Sequence, residues 1–369
     1  MLVLEKAEHP REKVCGEGLM PHGVECLRVL GVVPDLYAAG ATDFVGIDYH
    51  HGDVVAHGRF PVRSSGAVGL GVRRVALDQT LYRLARDTEG VEVRTGVRVT
   101  GLRVQADGVH VRTSQGDLRA DVVVGADGLH SLVRKQVGLA VKGSSEQRFG
   151  ARVHYRLSEG VSAGDRVHVY MRPELEFYVT PTGVGELNVA VLCDKRVTKR
   201  FGGRLHEGLH ELLMADPDLA KWLDGAVRIT QSAVWGPLRQ RVRAAATDRV
   251  VLVGDAAGFV DAITGEGMSI ALMAAELAAE ELDGALTAGD LSARRLLRYH
   301  RRKHRQSASL LWLTRVILWG MRNRALAAWV VRNLARHPAT FDRLLAVQSQ
   351  HRTLFQLGPG HLVRLLTGL

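Results

Sequence analysis

Residues 249–282 read RVVLVGDAAGFVDAITGEGMSIALMAAELAAEEL, the pattern of an apolar strand, a glycine-punctuated loop and an alanine-rich helix. The strand ends next to Asp255, so its carboxylate stands where the hydroxyl groups of a ligand can donate hydrogen bonds to it. Gly265 and Gly267 have no Cβ, which allows the backbone to approach a ligand closely. The helix that begins near Glu266 or Gly267 directs its positive N-terminus towards the same place. The segment therefore predicts a binding site for a polar ligand.

A second segment repeats this design. Residues 121–138 read DVVVGADGLHSLVRKQVG, a valine run that breaks at Gly-Ala-Asp-Gly. Asp127 and Gly128 stand at the strand end, and Ser131 and Arg134 follow on a short helical turn. Asp127 has two interpretations, because it can contact a ligand or cap the turn that contains Ser131. A repeated strand end of this kind indicates that both segments serve one site.

At these residues the chain resembles the FAD-dependent oxidoreductases of the para-hydroxybenzoate hydroxylase fold, in particular the branch that contains the geranylgeranyl reductases. Two further segments carry the resemblance to that branch. Pro10–Leu19, PREKVCGEGL, resembles its PxxKxCGxG signature, and Gly71–Leu81, GVRRVALDQTL, resembles its Arg-x-x-Leu/Phe-Asp segment. The resemblance covers residues 1–285 or so, and the order of the segments is more specific than any one of them.

The resemblance implies an α/β fold with a Rossmann-like FAD-binding lobe, an antiparallel β substrate lobe and a helical C-terminal tail. It implies FAD as cofactor, with Glu5 at the ribose and Asp255 at the ribityl chain. Arg11 and Lys13 contact phosphate or nucleotide in this interpretation, or else belong to a solvated loop. Arg74 contacts the cofactor or is a surface arginine before a helix. The implied cofactor-binding residues are Glu5, Arg11, Lys13, Arg74, Asp127, Gly128, Gly254, Asp255, Gly265, Glu266, Gly267 and Met268.

One unit of the expected fold is missing from the sequence. In this family a strand, a GxGxxG turn and a helix hold the FAD pyrophosphate, and the ribose-binding acid follows roughly 20 residues later. The present sequence opens at Met1-Leu-Val-Leu-Glu5, which resembles the second strand with Glu5 in the ribose position. Two explanations stay open, a start placed at an internal codon and a real truncation. Without the unit, the parallel sheet would expose two unpaired edges.

The sequence divides into four segments. These are the first part of the FAD-binding lobe (1–147), the substrate lobe (148–247), the second part of the FAD-binding lobe (248–290) and a basic helical tail (291–369). Periodicity predicts helices at Pro21–Leu30 and Leu77–Asp87 and long antiparallel strands over 148–194. Two β runs that meet at an Ala-Asp-Gly turn predict a hairpin before the second strand end.

The sequence specifies the residues around the substrate less clearly than those around the cofactor. Tyr178, Thr180 and Pro181 are predicted to line the substrate cavity, because in relatives this strand crosses above the flavin. Cys15 either faces the flavin in a redox role or is a small buried hydrophobe. His154 and His168 alternate along predicted strands, with no carboxylate partner visible in the sequence. The sequence indicates no nucleophile, catalytic triad or metal site, so the flavin itself would carry the redox chemistry.

Positive charge is concentrated in the tail. The net charge is +10, and residues from Leu291 onward hold 15 of the 49 Lys and Arg residues but one of the 39 Asp and Glu residues. Trp312, Trp319 and Trp329 stand among them at near-helical spacing. The tail therefore either lies on an anionic membrane surface or covers the substrate lobe with its arginines in solvent. No segment matches a nucleic-acid recognition module.

The cysteine spacings and the N-terminal residues predict the cellular compartment of the protein. Cys15, Cys26 and Cys193 stand at unrelated spacings, which is typical of neither a disulfide framework nor a metal site and suits a reducing cytoplasm. No signal peptide pattern is present. We expect a cytoplasmic protein, and the membrane alternative for the tail would place it at the inner face of the membrane.

Two enzymatic functions share this scaffold. Reduced flavin either adds hydride to a carbon–carbon double bond of an isoprenoid or quinone-like substrate, or activates oxygen to hydroxylate an aromatic or polyketide-like one. The CGEG and TGEGM segments favour the reductase. NAD(P)H is the expected reductant; since the sequence has no second Rossmann fingerprint to hold it, the nicotinamide binds transiently or else another protein supplies the electrons. A third function of another class is a degenerate, FAD-less binding or membrane-associated protein.

Overall fold

The computed structural model describes residues 1–61, 66, 68–141, 147–321, 323–349, 356, 358 and 360–361. Its strands are β1 (Leu2–Leu4), β2 (Gly18–Leu19), β3 (Thr42–Phe44), β4 (Gly46–His51), β5 (Val54–Arg59), β6 (Gly69–Gly71), β7 (Glu92–Arg94), β8 (Val99–Gln105), β9 (Gly108–Thr113), β10 (Gly116–Ala120), β11 (Val123–Gly125), β12 (Ala140–Val141), β13 (Arg148–Arg156), β14 (Arg166–Arg172), β15 (Leu175–Gly183), β16 (Glu186–Asp194), β17 (Val227–Arg228), β18 (Ala233–Trp235), β19 (Arg241–Val242), β20 (Ala246–Thr247) and β21 (Val250–Leu252).

The helices are α1 (Pro21–Val29), α2 (Val33–Ala38), α3 (Arg74–Asp87), α4 (Leu132–Gln136), α5 (Lys195–Arg200), α6 (Leu205–Met214), α7 (Pro217–Leu223), α8 (Gly267–Thr287), α9 (Ala293–Met321), α10 (Arg324–Arg336) and α11 (Pro338–Gln348), with a 3₁₀ turn at Gly254–Ala257. The mixed α/β class, the start of α8 at Gly267 and the β8–β9 hairpin are confirmed. The predicted helix at Leu77–Asp87 begins three residues earlier, at Arg74.

The Rossmann-like lobe contains two separate parallel strand pairs. In one, β1 pairs with β7, and in the other β11 pairs with β21, which also carries the antiparallel strand β20. Among the described residues, no strand pairs with the second edge of β1 or of β11. Leu2 and Val124 on these two strands are 38% and 44% exposed. The two unpaired edges predicted from the sequence are therefore present.

The substrate lobe is built on an eight-stranded sheet in the order β17-β13-β16-β15-β14-β4-β5, with β18 also paired to β13. The predicted antiparallel strands over 148–194 are β13 to β16. The sheet also includes β4 and β5 from the first sequence segment, and β4 pairs with β14 in parallel. One face, with Tyr155, Phe177 and Val179, packs against the buried leucines of α6 and α7. The opposite face carries Tyr178 and faces the Rossmann-like lobe.

The C-terminal helices cover the body of the protein. Tyr299 of α9 is buried and donates to the carbonyl of Leu252 on β21, with 2.8 Å between the oxygens. Helices α10 and α11 place Val331 and Phe341 on the apolar face of β4 and β5. Trp312 and Trp319 of α9 remain 53% and 66% exposed. Within the described part of the chain, no helix combines the length and the apolar character needed to cross a membrane.

Candidate functional site

At the end of β21, the carboxylate of Asp255 has no hydrogen-bond partner among the described residues. Gly254 follows β21 with φ +54°, a left-handed conformation that glycine adopts readily and that starts the 3₁₀ turn. Burial raises the pKa of Asp255, and the positive charges of Arg74, Arg134 and Lys13 oppose this shift. In the described part of the chain, no donor forms a hydrogen bond with the Asp255 carboxylate. Its desolvation is therefore offset only by these positive charges until a ligand supplies donors.

Two of the predicted cations are held together by one acid. Asp78 on α3 lies 2.5 Å from Nζ of Lys13 and 2.7 Å from Nε of Arg74. Burial raises the pKa of Asp78, but Arg74 and Lys13 outweigh it and lower that pKa below its ordinary value. The pKa of Lys13 is lowered by burial and by Arg74. Both cations act on Asp255 electrostatically, so the structure brings these three predicted residues to one place.

The CGEG loop meets the N-terminus of α8. The Sγ atom of Cys15 lies 3.6 Å from Sδ of Met268, in the first turn of that helix. Asn188 on β16 donates to the carbonyl of Cys15 at 2.8 Å and fixes the loop. Gly265, with φ +67°, makes the turn into Glu266 and α8. Burial raises the pKa of Cys15, so the thiol form is favoured over the reactive thiolate.

The same loop contributes one member of a buried acid–base pair that was not predicted from the sequence. Oε2 of Glu17 lies 2.6 Å from Nε2 of His154, and both side chains are fully buried. The other oxygen of Glu17 accepts from the backbone N–H of Arg74 at 2.8 Å. Nδ1 of His154 lies 2.9 Å from the hydroxyl of Thr230. Glu17 has φ +59°, a left-handed conformation that costs about 1–2 kcal/mol in a residue with a Cβ, so its contacts hold the loop against this strain.

His154 therefore has a carboxylate partner that was not visible in the sequence. Glu17 and His154 lie 137 positions apart, and periodicity carries no information on such a pair. The charge network continues from Arg152, which is buried and donates to Glu12 at 2.5 Å. Glu12 in turn accepts from Arg73 at 3.0 Å. The sequence carries only a weak signal for this charge network: acids and bases stand on either side of Cys15 and at alternate positions of β13.

Glu5 and Arg11 form a second small group. Glu5 follows β1, and its carboxylate accepts from the backbone N–H of Ala7 at 3.0 Å and from Arg11 at 3.4 Å. Both side chains are about a quarter exposed. The structure therefore joins these two predicted residues at the end of a parallel strand, where ligands of such sheets bind.

Asp127 has the capping role that the sequence left open. One of its carboxylate oxygens accepts from the Ser131 hydroxyl at 2.5 Å, and the other accepts from the backbone N–H groups of Leu132 and Val133 at 2.6 and 3.1 Å. Gly128, with φ +74°, makes the turn between strand and cap. The buried Arg134 then links this segment to the first one by donating to the carbonyl groups of Asp255 and Ala256.

The residues predicted for the substrate cavity lie on β15. Tyr178 donates to the carbonyl of Ile263 at 3.2 Å and packs among leucines of β16 and of the loops on either side. Thr180 is buried beside Gly18, and the carbonyl of Pro181 lies so close to Gly71 that a Cβ there would clash. Burial raises the pKa of Tyr178 well above its ordinary value, so its hydroxyl stays protonated.

An unpredicted ion triad fixes the loop before α8. Arg148 on β13 pairs with Glu176 on β15 and with Asp261, the latter at 2.8 Å. Burial raises the pKa of Asp261, and Arg148 opposes the shift. Asp261 also accepts from the backbone N–H of Ile263 at 3.0 Å. The triad therefore links the glycine-rich loop before α8 to β13 and β15 of the eight-stranded sheet.

Comparison with known proteins relates the chain to flavoproteins. The family described as FAD binding domain matches residues 1–313. Digeranylgeranylglycerophospholipid reductase of Methanosarcina mazei is 29% identical over 66% of this chain and 60% of its own length. Rifampicin monooxygenase of Streptomyces venezuelae is 29% identical over 85% of this chain and 65% of its own length. The chain thus spans less than two thirds of the length of these curated relatives.

The fold has a close counterpart among solved structures. A flavoprotein/dehydrogenase from Cytophaga hutchinsonii superposes with a TM-score of 0.80, and the match covers 95% of this chain and 87% of that one. The sequence identity is 20%, so this similarity establishes the fold alone.

Proposed function

The chain belongs to the FAD binding domain family, and on that premise we propose that it is an FAD-dependent reductase that delivers hydride to a carbon–carbon double bond of an isoprenoid or quinone-like substrate. The observation that carries this proposal is the contact of Cys15 with Met268, at 3.6 Å. It joins the CGEG and TGEGM segments, the two that resemble the reductase branch, at one helix N-terminus. The similarity to the Methanosarcina mazei reductase supports the same branch.

The described residues fit the flavin end of FAD. The Asp255 carboxylate suits the hydroxyl groups of a ribityl chain, because it is an acceptor to which none of the described residues donates. Gly265 and Gly267 shape the loop before α8, where an added Cβ would lie 3.1 Å from Met20 and 3.3 Å from Phe259. Arg74 and Lys13 supply positive charge next to Asp255. Glu5 and Arg11 would hold the nucleotide part, with an acceptor for ribose hydroxyls and a donor for phosphate.

When bound, FAD supplies the hydride, and the protein positions the substrate, stabilises charge and excludes water. The N-terminus of α8 stabilises negative charge by about 0.3–1 kcal/mol at a surface and by up to about 2 kcal/mol when partly buried. Arg74 is fixed for the same task by Asp78. The Glu17–His154 pair can hold a proton in a dry environment, and reduction of a double bond requires one proton for each hydride.

The substrate side of the site is apolar. Leu192, Leu238 and Ile263 are buried around Tyr178, and Ile317 and Leu318 of α9 pack on the same cluster. These residues pack on one another, and a substrate that reaches this cluster would be hydrophobic, because polar groups would lose hydration there without replacement. On β15, the protonated hydroxyl of Tyr178 donates to the carbonyl of Ile263 in this cluster, and the polar residues Glu176 and Thr180 on either side of Tyr178 are buried.

A flavin monooxygenase that hydroxylates an aromatic or polyketide-like substrate is the second candidate. The similarity to rifampicin monooxygenase supports it. NAD(P)H is the proposed transient reductant in both cases. A degenerate, FAD-less binding protein is the third candidate, and it requires that Asp255 has no ligand at all.

The deciding experiment uses the full chain loaded with FAD and reduced stoichiometrically under argon. The reduced protein is mixed with a polyprenyl lipid or a prenylated quinone, and flavin absorbance is followed while products are analysed by mass spectrometry. We expect reoxidation without oxygen and a product that has gained two hydrogen atoms. Unloaded protein with free reduced flavin is the control.

The other functions give different results in this assay. A monooxygenase would remain reduced under argon, and with ¹⁸O₂ it would form a product that contains one labelled oxygen atom. A chain that retains no FAD under any loading condition would favour the binding protein. The reductase proposal is abandoned in either case.

We also propose peripheral membrane contact through α9. Trp312, Val316 and Trp319 are exposed at helical spacing on a helix rich in arginine. An anionic surface attracts basic residues by about 1 kcal/mol each, and salt weakens this attraction. Co-sedimentation with phosphatidylglycerol liposomes should fall when Trp312 and Trp319 are both replaced by Ser. The control variant is Trp235→Ser, at a tryptophan that is 50% exposed on β18; equal sedimentation of the three proteins would refute the contact.

A further inference from the structure

A histidine cluster lies on the eight-stranded sheet, on the face opposite to Tyr178. Asp48 and His50 are two residues apart on β4 and share a face of the sheet. His168 on β14 stands directly across from Asp48 in the parallel register. These three residues can each direct one ligand atom to a common point, since the three atoms lie within 4.8 Å of one another.

We propose that Asp48, His50 and His168 form a binding site for a divalent transition-metal ion, with zinc as the ion that fits best. Nε2 of His50 lies 3.1 Å from Nδ1 of His168, and Oδ2 of Asp48 lies 3.8 Å from the same nitrogen. Ligands at zinc distances of about 2.0–2.1 Å in tetrahedral geometry are about 3.3 Å apart. These two separations lie on either side of that value, and the third pair of ligand atoms lies within 4.8 Å.

The surroundings hold each ligand in place. Nε of Arg166 donates to Oδ1 of Asp48 at 2.6 Å and leaves Oδ2 directed at the histidines. The ring of His50 stacks on Tyr170 with 4.2 Å between centroids, and the ring of His168 packs on Trp222 at 5.1 Å. Groups of this kind orient metal ligands in proteins.

The chemistry of the ligands also suits zinc. Imidazole and carboxylate are zinc ligands, and imidazole binds in its neutral form. His57 on β5, whose Nδ1 lies 3.0 Å from Oδ2 of Asp48, borders the open side, where water would complete the coordination.

A bound ion would connect strands that are distant in sequence. It would link β4, from the first part of the chain, to β14 of the substrate lobe across more than a hundred residues. Because the ligand set is formed only in the folded protein, metal binding stabilises the fold. The face that carries the cluster is not the one that carries Tyr178, so this role is independent of the proposed flavin chemistry.

The test is a Zn²⁺ titration of the full chain, expressed without a histidine tag, stripped of metal and placed in competition with a chromogenic chelator. We expect one equivalent to bind and the thermal midpoint to rise. His50→Gln and His168→Gln should each weaken binding by at least about 10- to 100-fold, the loss that follows removal of groups that merely orient a ligand. His206→Gln, at an exposed histidine of α6, should bind as the wild type does.

The proposal is overturned if the His50→Gln and wild-type proteins bind Zn²⁺ equally, or if the wild type binds none. Co²⁺ binding to the wild type provides a readout that needs no variant. The visible absorption of bound Co²⁺ should be that of a tetrahedral N/O site, and a spectrum identical to that of aqueous Co²⁺ would also refute the site.

Discussion

Two strand ends of this protein look alike in sequence but differ in what their aspartates do. Asp127 and Asp255 each follow a valine-rich strand and stand next to glycine. The Asp127 carboxylate accepts three hydrogen bonds from α4 and the residue before it. The Asp255 carboxylate is half-buried and, among the described residues, has no hydrogen-bond donor. An aspartate at a strand end is therefore a ligand contact only when the residues after it leave its oxygens free.

The residue that couples the two strand ends should have the largest effect on stability. Arg134→Met removes a buried guanidinium that donates to the carbonyl groups of Leu129, Asp255 and Ala256 and to the side-chain oxygen of Gln240. We expect the free energy of unfolding to fall by about 4 kcal/mol, because four hydrogen bonds are lost and each contributes about 1 kcal/mol. Urea unfolding followed by circular dichroism measures this loss. Lys135→Met, at the exposed neighbour, is the control, and equal losses in the two variants would contradict the coupling.

Removal of the cap should have a smaller effect. Asp127→Ala deprives α4 of the carboxylate that accepts from its first N–H groups, and the loss of such a cap costs about 0.5–2 kcal/mol. The same urea experiment measures it. Asp121→Ala, at an exposed aspartate before β11, should change stability less. If the two variants are equally stable, the cap is not what Asp127 contributes.

The smallest expected effect is a pH-dependent change in stability, which should have opposite signs for substitutions of Asp255 and of Asp78. Burial raises the pKa of Asp255, so ionisation destabilises the ligand-free fold at neutral pH. Asp255→Asn should therefore be more stable than the wild type at pH 7, and the gain should shrink below the raised pKa and vanish below the ordinary value of about 3.9.

Asp78 should behave in the reverse way. Burial raises the pKa of Asp78, but Arg74 and Lys13 lower it by more, so the net pKa is below its ordinary value. The ionised form of Asp78 therefore stabilises the fold. Asp78→Asn should lower stability at pH 7, and the difference should disappear as the pH falls from the ordinary value through the lowered pKa. Thermal unfolding across this pH range tests both acids. Variants that shift stability in the same direction would contradict the assignment.

The local elements were predictable from the sequence because local patterns encode them. Gly267 begins α8 after a glycine-rich loop, and the Ala-Asp-Gly turn closes the β8–β9 hairpin. The placement of Asp255, Arg74 and Lys13 around one point followed from the family resemblance and from their positions at element ends. These features depend on a few neighbouring residues.

The buried ion pairs were not predictable in the same way. Glu17 meets His154, and Arg148 meets Asp261, only because strands and loops more than a hundred residues apart are brought together. The parallel pairing of β4 with β14, which assembles Asp48, His50 and His168, has no signal in either strand alone. Strand alternation predicts which face a histidine lies on, but not which acid lies opposite.

The most direct test of the account is an FAD titration of the wild type, Asp255→Ala and Asp127→Ala, followed by quenching of flavin fluorescence. Asp255→Ala should bind FAD about 10- to 100-fold more weakly, the equivalent of one or two hydrogen bonds to a charged group. Asp127→Ala should retain the wild-type affinity, because its carboxylate is occupied by α4. Full affinity in Asp255→Ala, or an equal loss in both variants, would contradict the distinction between the two strand ends.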